Sequence, residues 1–171
     1  MIKRLLKNNK VEKDISGPLA PGTLAPDFSL QAESGEWLTL SDLRGRPVVL
    51  VFYPADNSSV CSSQLALYNE ARSMFEAYDA QILGISVDDT ASHRAFARAL
   101  NLNFPLLADD APPGALARDY GVFNERKGLC ERALFVLDEQ GVVHWRHISP
   151  AGINPGANGI LEALESLENP A

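Results

Sequence analysis

The sequence predicts an α/β fold: a mixed central sheet with helices on both faces and an N-terminal β-hairpin added to it. Three observations carry this. Residues 48–53 and 81–87 are short, nearly unbroken apolar runs rich in Val, Ile, Leu and Phe, the pattern of strands buried on both faces of a sheet. Each is followed by a stretch whose apolar residues recur at three- and four-residue spacing, the period of an amphipathic helix. The chain then closes with two strands joined by a tight turn and one more helix. The order βαβα, β-hairpin, α requires parallel and antiparallel pairing in one sheet.

Each element has its own signal. Pro18, Pro21, Gly22 and Pro26 punctuate the exit from a basic N-terminal segment, so 1–21 is expected to be an arm and linker and 22–171 the folded domain. Residues 28–30 and 37–40 flank the turn Glu33-Ser34-Gly35-Glu36 and suit a hairpin. The strand over 48–53 is stopped by Pro54, which cannot donate to a ladder. Over 59–78, Leu65, Tyr68, Ala71, Arg72 and Phe75 predict one long helix. A second buried strand is expected over 81–87, a helix over 91–100, a short strand over 105–107 and a short helix over 115–120. Residues 132–137 and 142–148 read as strands joined by Asp138-Glu139-Gln140-Gly141, and 159–167 as the closing helix.

Length and composition set the outer bounds. At 171 residues, 46% hydrophobic and 22% charged, the chain suits one domain that buries roughly 70% of its extended surface. Gly 12, Pro 11 and Cys 2, without any period, exclude collagen-like, mucin-like and disulfide-framework classes. The apolar run 48–53 is far short of the ~20 residues of a membrane span, so no membrane partner is expected. A formal charge of -7 argues against nucleic acid, where affinity comes from Lys and Arg neutralising phosphates. In the first fourteen residues, Lys3, Arg4, Lys7, Lys10 and Lys13 outweigh Glu12 and Asp14, leaving the arm at +3 and the rest at -10. No apolar signal-peptide core follows this basic start, so the reading is a cytoplasmic protein with a mobile or helical basic arm.

The chemistry is concentrated where the first buried strand hands over to the long helix, at Pro54-Ala55-Asp56-Asn57-Ser58-Ser59-Val60-Cys61. Cys61 falls in or just before the first helical turn. A thiol there faces unpaired backbone N–H groups and the positive end of the helix dipole, both of which favour its anion, the nucleophilic form. The alternative at this point is a buried cysteine acting as a small hydrophobe.

Pro54-x-x-x-Ser58-x-x-Cys61, preceded by Val49-Leu50-Val51-Phe52-Tyr53, resembles the active-site motif of peroxiredoxins, Pro-x-x-x-Thr/Ser-x-x-Cys. The likeness extends through Ala25-Pro26-Asp27-Phe28-Ser29-Leu30, Leu40-Ser41-Asp42-Leu43-Arg44-Gly45, Phe104-Pro105-Leu106-Leu107-Ala108-Asp109 and Arg132-Ala133-Leu134-Phe135-Val136-Leu137-Asp138, covering nearly everything after Gly22. Tyr120-Gly121-Val122-Phe123-Asn124-Glu125, with Gly128 and Arg132, looks most like the one-cysteine alkyl hydroperoxide reductase E-type branch. The resemblance implies a thioredoxin fold and reduction of hydrogen peroxide or organic hydroperoxides by a cysteine thiol, with no metal or bound cofactor. It implies recycling by an external thiol or a thioredoxin- or glutaredoxin-like reductant, and a homodimer.

It also assigns roles. Cys61 is the peroxidatic nucleophile, and Arg132 stabilises the thiolate and the charge developing on the leaving oxygen, with a fixed fork of donors and a charge it cannot lose. Ser58 hydrogen-bonds the peroxide and Pro54 shields the thiolate. Read alone, Arg132 is a surface ion pair, Ser58 a helix cap and Pro54 a strand stop. Gln64 is the expected partner of the arginine. Ser58 stands where most relatives have threonine, and Ala66 removes the resolving cysteine that some place five residues after the first.

Cys130 and Arg132 are two apart, so on one strand they would share a face with Cα atoms about 6.6 Å apart. Cys130 is then a candidate resolving thiol near the pocket. The competing reading is a buried cysteine that fills volume while an external thiol resolves Cys61. The other tempting groups point elsewhere. His144 and His147, three apart on a strand, should face opposite ways, and His93 is expected to be solvated on its helix. Asp88-Asp89 and Asp109-Asp110 suit turn and cap chemistry better than a divalent ion. Two further functions stand beside the peroxidase: a thiol-disulfide exchanger, which Cys61-Ser62-Ser63-Gln64 disfavours by lacking a Cys-x-x-Cys pair, and a redox-sensing or holdase module that does not turn over.

Overall fold

The structure, a computed structural model, describes residues 17–170. The expected basic arm falls mostly in 1–16, outside the described residues. Strands β1 (Ser29–Ala32) and β2 (Trp37–Thr39) form the N-terminal hairpin, turning at Gly35, where a φ of +90° suits glycine. Chain order continues through β3 (Val48–Phe52), α1 (Ser59–Glu70), α2 (Arg72–Glu76), β4 (Gln81–Ser86), α3 (Thr90–Leu100), β5 (Leu106–Ala108) and α4 (Ala115–Asp119). A two-stranded ribbon, β6 (Phe123–Asn124) and β7 (Leu129–Cys130), precedes β8 (Arg132–Leu137), β9 (Val143–Ser149) and α5 (Asn158–Glu168).

One seven-stranded sheet has the order β2-β1-β5-β4-β3-β8-β9. Its centre, β5-β4-β3, is parallel; β8 and β9 add antiparallel beside β3, and β1 joins β5 antiparallel. The mixed pairing follows from the connections, since helical crossovers return strands parallel and tight turns return them antiparallel. All five residues of β3 are buried, as an unbroken apolar run requires. Alternation along β3 then divides the core. Val49, Val51 and Tyr53 pack with Leu134 and Val136 under α1, α2, α3 and α5. Val48, Leu50 and Phe52 pack with Phe135 and Leu137 against α4, Tyr120 and the N-terminal Leu19, Ala25 and Phe28. Helices cover both faces, four on one and α4 on the other.

Four details differ from the sequence reading. The helix expected over 59–78 is two, broken at Ala71, whose φ of -81° and ψ of 3° leave the helical region. The strand over 37–40 ends at Thr39, and Leu40–Leu43 forms a 3-10 turn that buries Leu40. The ribbon β6–β7 was not expected. Packing also begins before Gly22: Leu19 is buried, its N–H donates to Tyr120 O at 3.1 Å, and the Arg146 guanidinium holds the carbonyls of Pro18 and Leu19. Residues 17–21 are thus joined to the body rather than forming a free linker.

Candidate active site

Strand register sets where the site lies. Phe52 pairs with Ala133, so Arg132, one residue earlier on antiparallel β8, stands opposite Tyr53, where the chain leaves β3 for Pro54 and α1. This is the carboxyl end of the parallel strands, where crevices form in α/β sheets. Ser58 is the N-cap of α1: at φ -70° and ψ 147° its Oγ accepts from Cys61 N at 3.3 Å. Cys61, Gln64, Leu65 and Tyr68 recur at helical spacing and make the buried face of α1.

That face meets Arg132, which is 2% exposed. Its Nη2 donates to Cys61 Sγ at 3.4 Å and to Ala151 O at 2.7 Å, its Nε donates to Ala151 O at 3.0 Å, and its Nη1 donates to Gln64 Oε1 at 2.7 Å. Gln64 Nε2 donates in turn to Tyr68 Oη at 3.0 Å, and Tyr68 Oη donates to Gly156 O at 3.0 Å. Burial pushes the Tyr68 hydroxyl up to about 12, against the opposing charge of Arg132, so it remains a donor at neutral pH. Arg132 forms no ion pair with a carboxylate among the described residues. An unpaired buried cation costs several kcal/mol, so an anion on the sulfur is the charge best placed to offset it. A cavity of about 270 Å³ opens beside the pair, walled by Pro54, Ser58, Val60, Leu129, Cys130 and Arg132. Cys61 itself is fully buried behind this wall.

The residues singled out from sequence, Pro54, Ser58, Cys61, Gln64 and Arg132, therefore converge. Cys130 does so only in part. It lines the cavity, yet its side chain belongs to the cluster with Phe52, Phe135 and Tyr120, across the sheet from Cys61. The same-face expectation fails because Cys130 and Arg132 are not on one strand: Cys130 pairs with Phe123 in the ribbon, Glu131 N donates to Val122 O, and the main sheet resumes at Arg132. Burial pushes the Cys130 thiol far above its ordinary range, with the charges of Asp109 and Asp88 adding to it. Both cysteines are free thiols.

His93 is not solvated. It is 0% exposed, with Nδ1 2.8 Å from Asp56 Oδ2 and Nε2 3.0 Å from Leu107 O. Its spacing to Phe96, Ala97 and Leu100 on the apolar stripe of α3 was the missed signal. Tyr68 and Ala151 were also missed; a backbone carbonyl leaves no trace in sequence. Asp89 caps α3 through Ser92 N at 2.8 Å, and Asp109 accepts from the N–H groups of Leu116 and Ala117 at 3.0 and 2.9 Å, the turn and cap roles expected of them. His144 shares a 2.6 Å hydrogen bond with Ser166 while His147 stacks on Trp145. Among the described residues no three His, Cys, Asp or Glu side chains are placed to hold a metal ion, and no helix is long and apolar enough to cross a membrane.

A buried arginine over a helix-start cysteine, at the end of a mixed sheet, is an arrangement suited to the chemistry of a thiolate. By its sequence the chain belongs to the AhpC/TSA family, whose model matches residues 21–146. It is 36% identical over 132 residues to chloroplastic peroxiredoxin Q of Triticum aestivum, spanning 77% of this chain and 60% of that protein. Alkyl hydroperoxide reductase E of Mycobacterium tuberculosis is 36% identical over 132 residues, 77% of this chain and 86% of the relative. The crystal structure of peroxidoxin BcpB from Mycobacterium tuberculosis superposes with a TM-score of 0.80 at 29% identity, covering 87% of this chain and 98% of that one. The fold is thus the thioredoxin fold of the peroxiredoxins, and the activity is that of a thiol-dependent peroxidase.

Proposed function

We propose that Cys61 is the peroxidatic nucleophile and that Arg132, Ser58 and Pro54 build the site around it. The observation that carries this is the Arg132 guanidinium, buried with no carboxylate partner among the described residues and 3.4 Å from Cys61 Sγ. The thiolate attacks one peroxide oxygen; an S–O bond forms as the O–O bond breaks, the sulfur is oxidised to sulfenic acid, and the other oxygen leaves as water or alcohol after taking a proton. Arg132 stabilises the anionic sulfur before attack and the leaving oxygen during it. The Ser58 hydroxyl, already accepting from Cys61 N, is free to donate its proton to a bound peroxide. Pro54 shapes the cavity wall. An external thiol or thioredoxin-like protein then attacks the sulfenic sulfur, releasing water, and a second thiol frees Cys61.

Cys130 is not used in this cycle, a reading supported by its burial across the sheet and its raised pKa. Location in the cytoplasm belongs to the same proposal and rests on the sequence reading alone; the curated relatives include chloroplastic and bacterial proteins. The homodimer rests on the family resemblance, and sedimentation of the reduced protein tests it. Turnover separates the enzyme from a sensor or holdase. With excess dithiothreitol or thioredoxin, many equivalents of peroxide should be consumed per chain and none by Cys61→Ser; a single equivalent per chain under every reductant tried would contradict the reading.

A further inference from the structure

The segment carrying Pro54 and Ser58 has no regular structure of its own, and Asn57 within it has a φ of +65°. Something outside the segment must therefore fix it. Asp56, two residues before Ser58 and five before Cys61, turns its carboxylate into the protein. Oδ1 accepts from Tyr53 Oη at 2.6 Å; Oδ2 accepts from Ser92 Oγ at 2.8 Å and lies 2.8 Å from His93 Nδ1. The Asp56 N–H donates to Asp88 Oδ2 at 2.8 Å, and Asp88 is itself held by Ser86 Oγ at 2.6 Å. His93 is anchored on α3, and its Nε2 must donate, because Leu107 O can only accept. With Nε2 donating to Leu107 O, Nδ1 and Asp56 Oδ2 share the remaining proton, so the two side chains are hydrogen-bonded to each other on whichever of the two it lies. The pair is thus a buried histidine–aspartate hydrogen bond with both ring nitrogens and both carboxylate oxygens satisfied, placed between the active-site segment, α3 and β5.

We propose, building on the roles assigned above to Cys61 and Ser58, that Asp56 and His93 are positioning residues for peroxide reduction. Their buried pair ties the 54–58 segment to α3, so that Pro54 and the Ser58 hydroxyl are held in register with Cys61 and Arg132. Arg132 is secured separately, through Gln64 and Ala151 O. Loosening the pair should therefore disturb the orientation of the peroxide while leaving the contact between Arg132 and the sulfur in place.

The test compares two second-order rates on the pre-reduced full chain: oxidation of Cys61 by hydrogen peroxide, and alkylation of Cys61 by iodoacetamide, which needs no oriented O–O bond. In His93→Gln, peroxide oxidation should fall about 10²-fold, the loss that accompanies a misplacement of about 1 Å, while alkylation stays within threefold of wild type or rises. A purely structural role would slow peroxide oxidation only in step with a lowered folded fraction, which circular dichroism reads separately, since unfolding would expose the buried Cys61 to iodoacetamide. Tyr53→Phe removes one donor from the same carboxylate with no loss of ring volume. It should slow peroxide oxidation several-fold, again without slowing alkylation, and it serves should His93→Gln fail to fold. Wild-type peroxide rates in folded His93→Gln, or in Tyr53→Phe if only that variant folds, overturn the proposal, as does an equal fall in both rates. Wild type and Cys61→Ser run alongside: if wild type is not oxidised at Cys61, the assignment of the site fails, a result distinct from failure of the clamp.

Discussion

Arg132→Lys separates charge from geometry at the site. Lysine keeps a cation on a long stem but presents its donors from a single point, whereas the guanidinium spans Cys61 Sγ, Gln64 Oε1 and Ala151 O at 3.4, 2.7 and 2.7 Å. One ammonium cannot serve partners on α1 and in the 150–157 segment and also aim a donor at the leaving oxygen. Losing one donor oriented at developing charge costs about 10²- to 10³-fold, or about 2.7 to 4 kcal/mol of barrier. The second-order rate of peroxide oxidation should drop by that much in stopped-flow measurements on pre-reduced protein. Alkylation by iodoacetamide should drop only a few-fold, because a positive charge still lies near the sulfur. Arg132→Met, which removes the charge, should lose both. Peroxide oxidation at the wild-type rate in Arg132→Lys would refute the reasoning, for it would mean that the fork of donors is not aimed at the reaction.

Ser58→Ala should slow peroxide oxidation by about 10²-fold and, because the cap on Cys61 N is lost, lower stability by about 1 kcal/mol in urea titrations; Ser58→Thr should retain most of both. Tyr68→Phe leaves the Gln64 amide without its acceptor, and denaturation should show a loss of about 1 to 3 kcal/mol with a smaller effect on rate. The Cys130 thiol is raised by burial, so above its ordinary value of 9.0 the unfolded chain releases a proton that the folded chain keeps. Below that pH its contribution is constant; above it, stability should fall by up to about 1.4 kcal/mol per pH unit, and Cys130→Ala should flatten the fall between pH 9 and 10, before the tyrosines titrate.

What was legible in the sequence was what depends on local pattern. Strands β3, β4 and β8 are predominantly apolar runs, and Ser58 and Cys61 sit where a strand stop and a helix start meet, so the sheet and the place of the candidate site follow from local pattern. The break at Ala71 could not, since nothing in Glu70-Ala71-Arg72 distinguishes it from continuing helix. The side of the sheet taken by Cys130 depends on a handover between two ladders at Glu131, and strand alternation is blind to such handovers. His93 is polar by type yet stands at a core position, which residue type alone does not reveal. It lies on the apolar stripe of α3, and the carboxylate that satisfies it comes from a segment 37 residues earlier in the chain.

The central claim, that Cys61 is the atom oxidised by peroxide, is open to a direct measurement. Pre-reduced protein is treated with one equivalent of hydrogen peroxide in the presence of a sulfenic-acid trap, and its intact mass and non-reducing peptide map are recorded. The account predicts the trapped adduct on the peptide containing Cys61, in high yield, with Cys130 still a free thiol and Arg132→Met giving little adduct in the same time. Adduct on Cys130 with Cys61 unmodified would contradict it, as would an unreacted chain; a Cys61–Cys130 linked peptide in high yield would show that the second cysteine crosses the sheet to resolve the first.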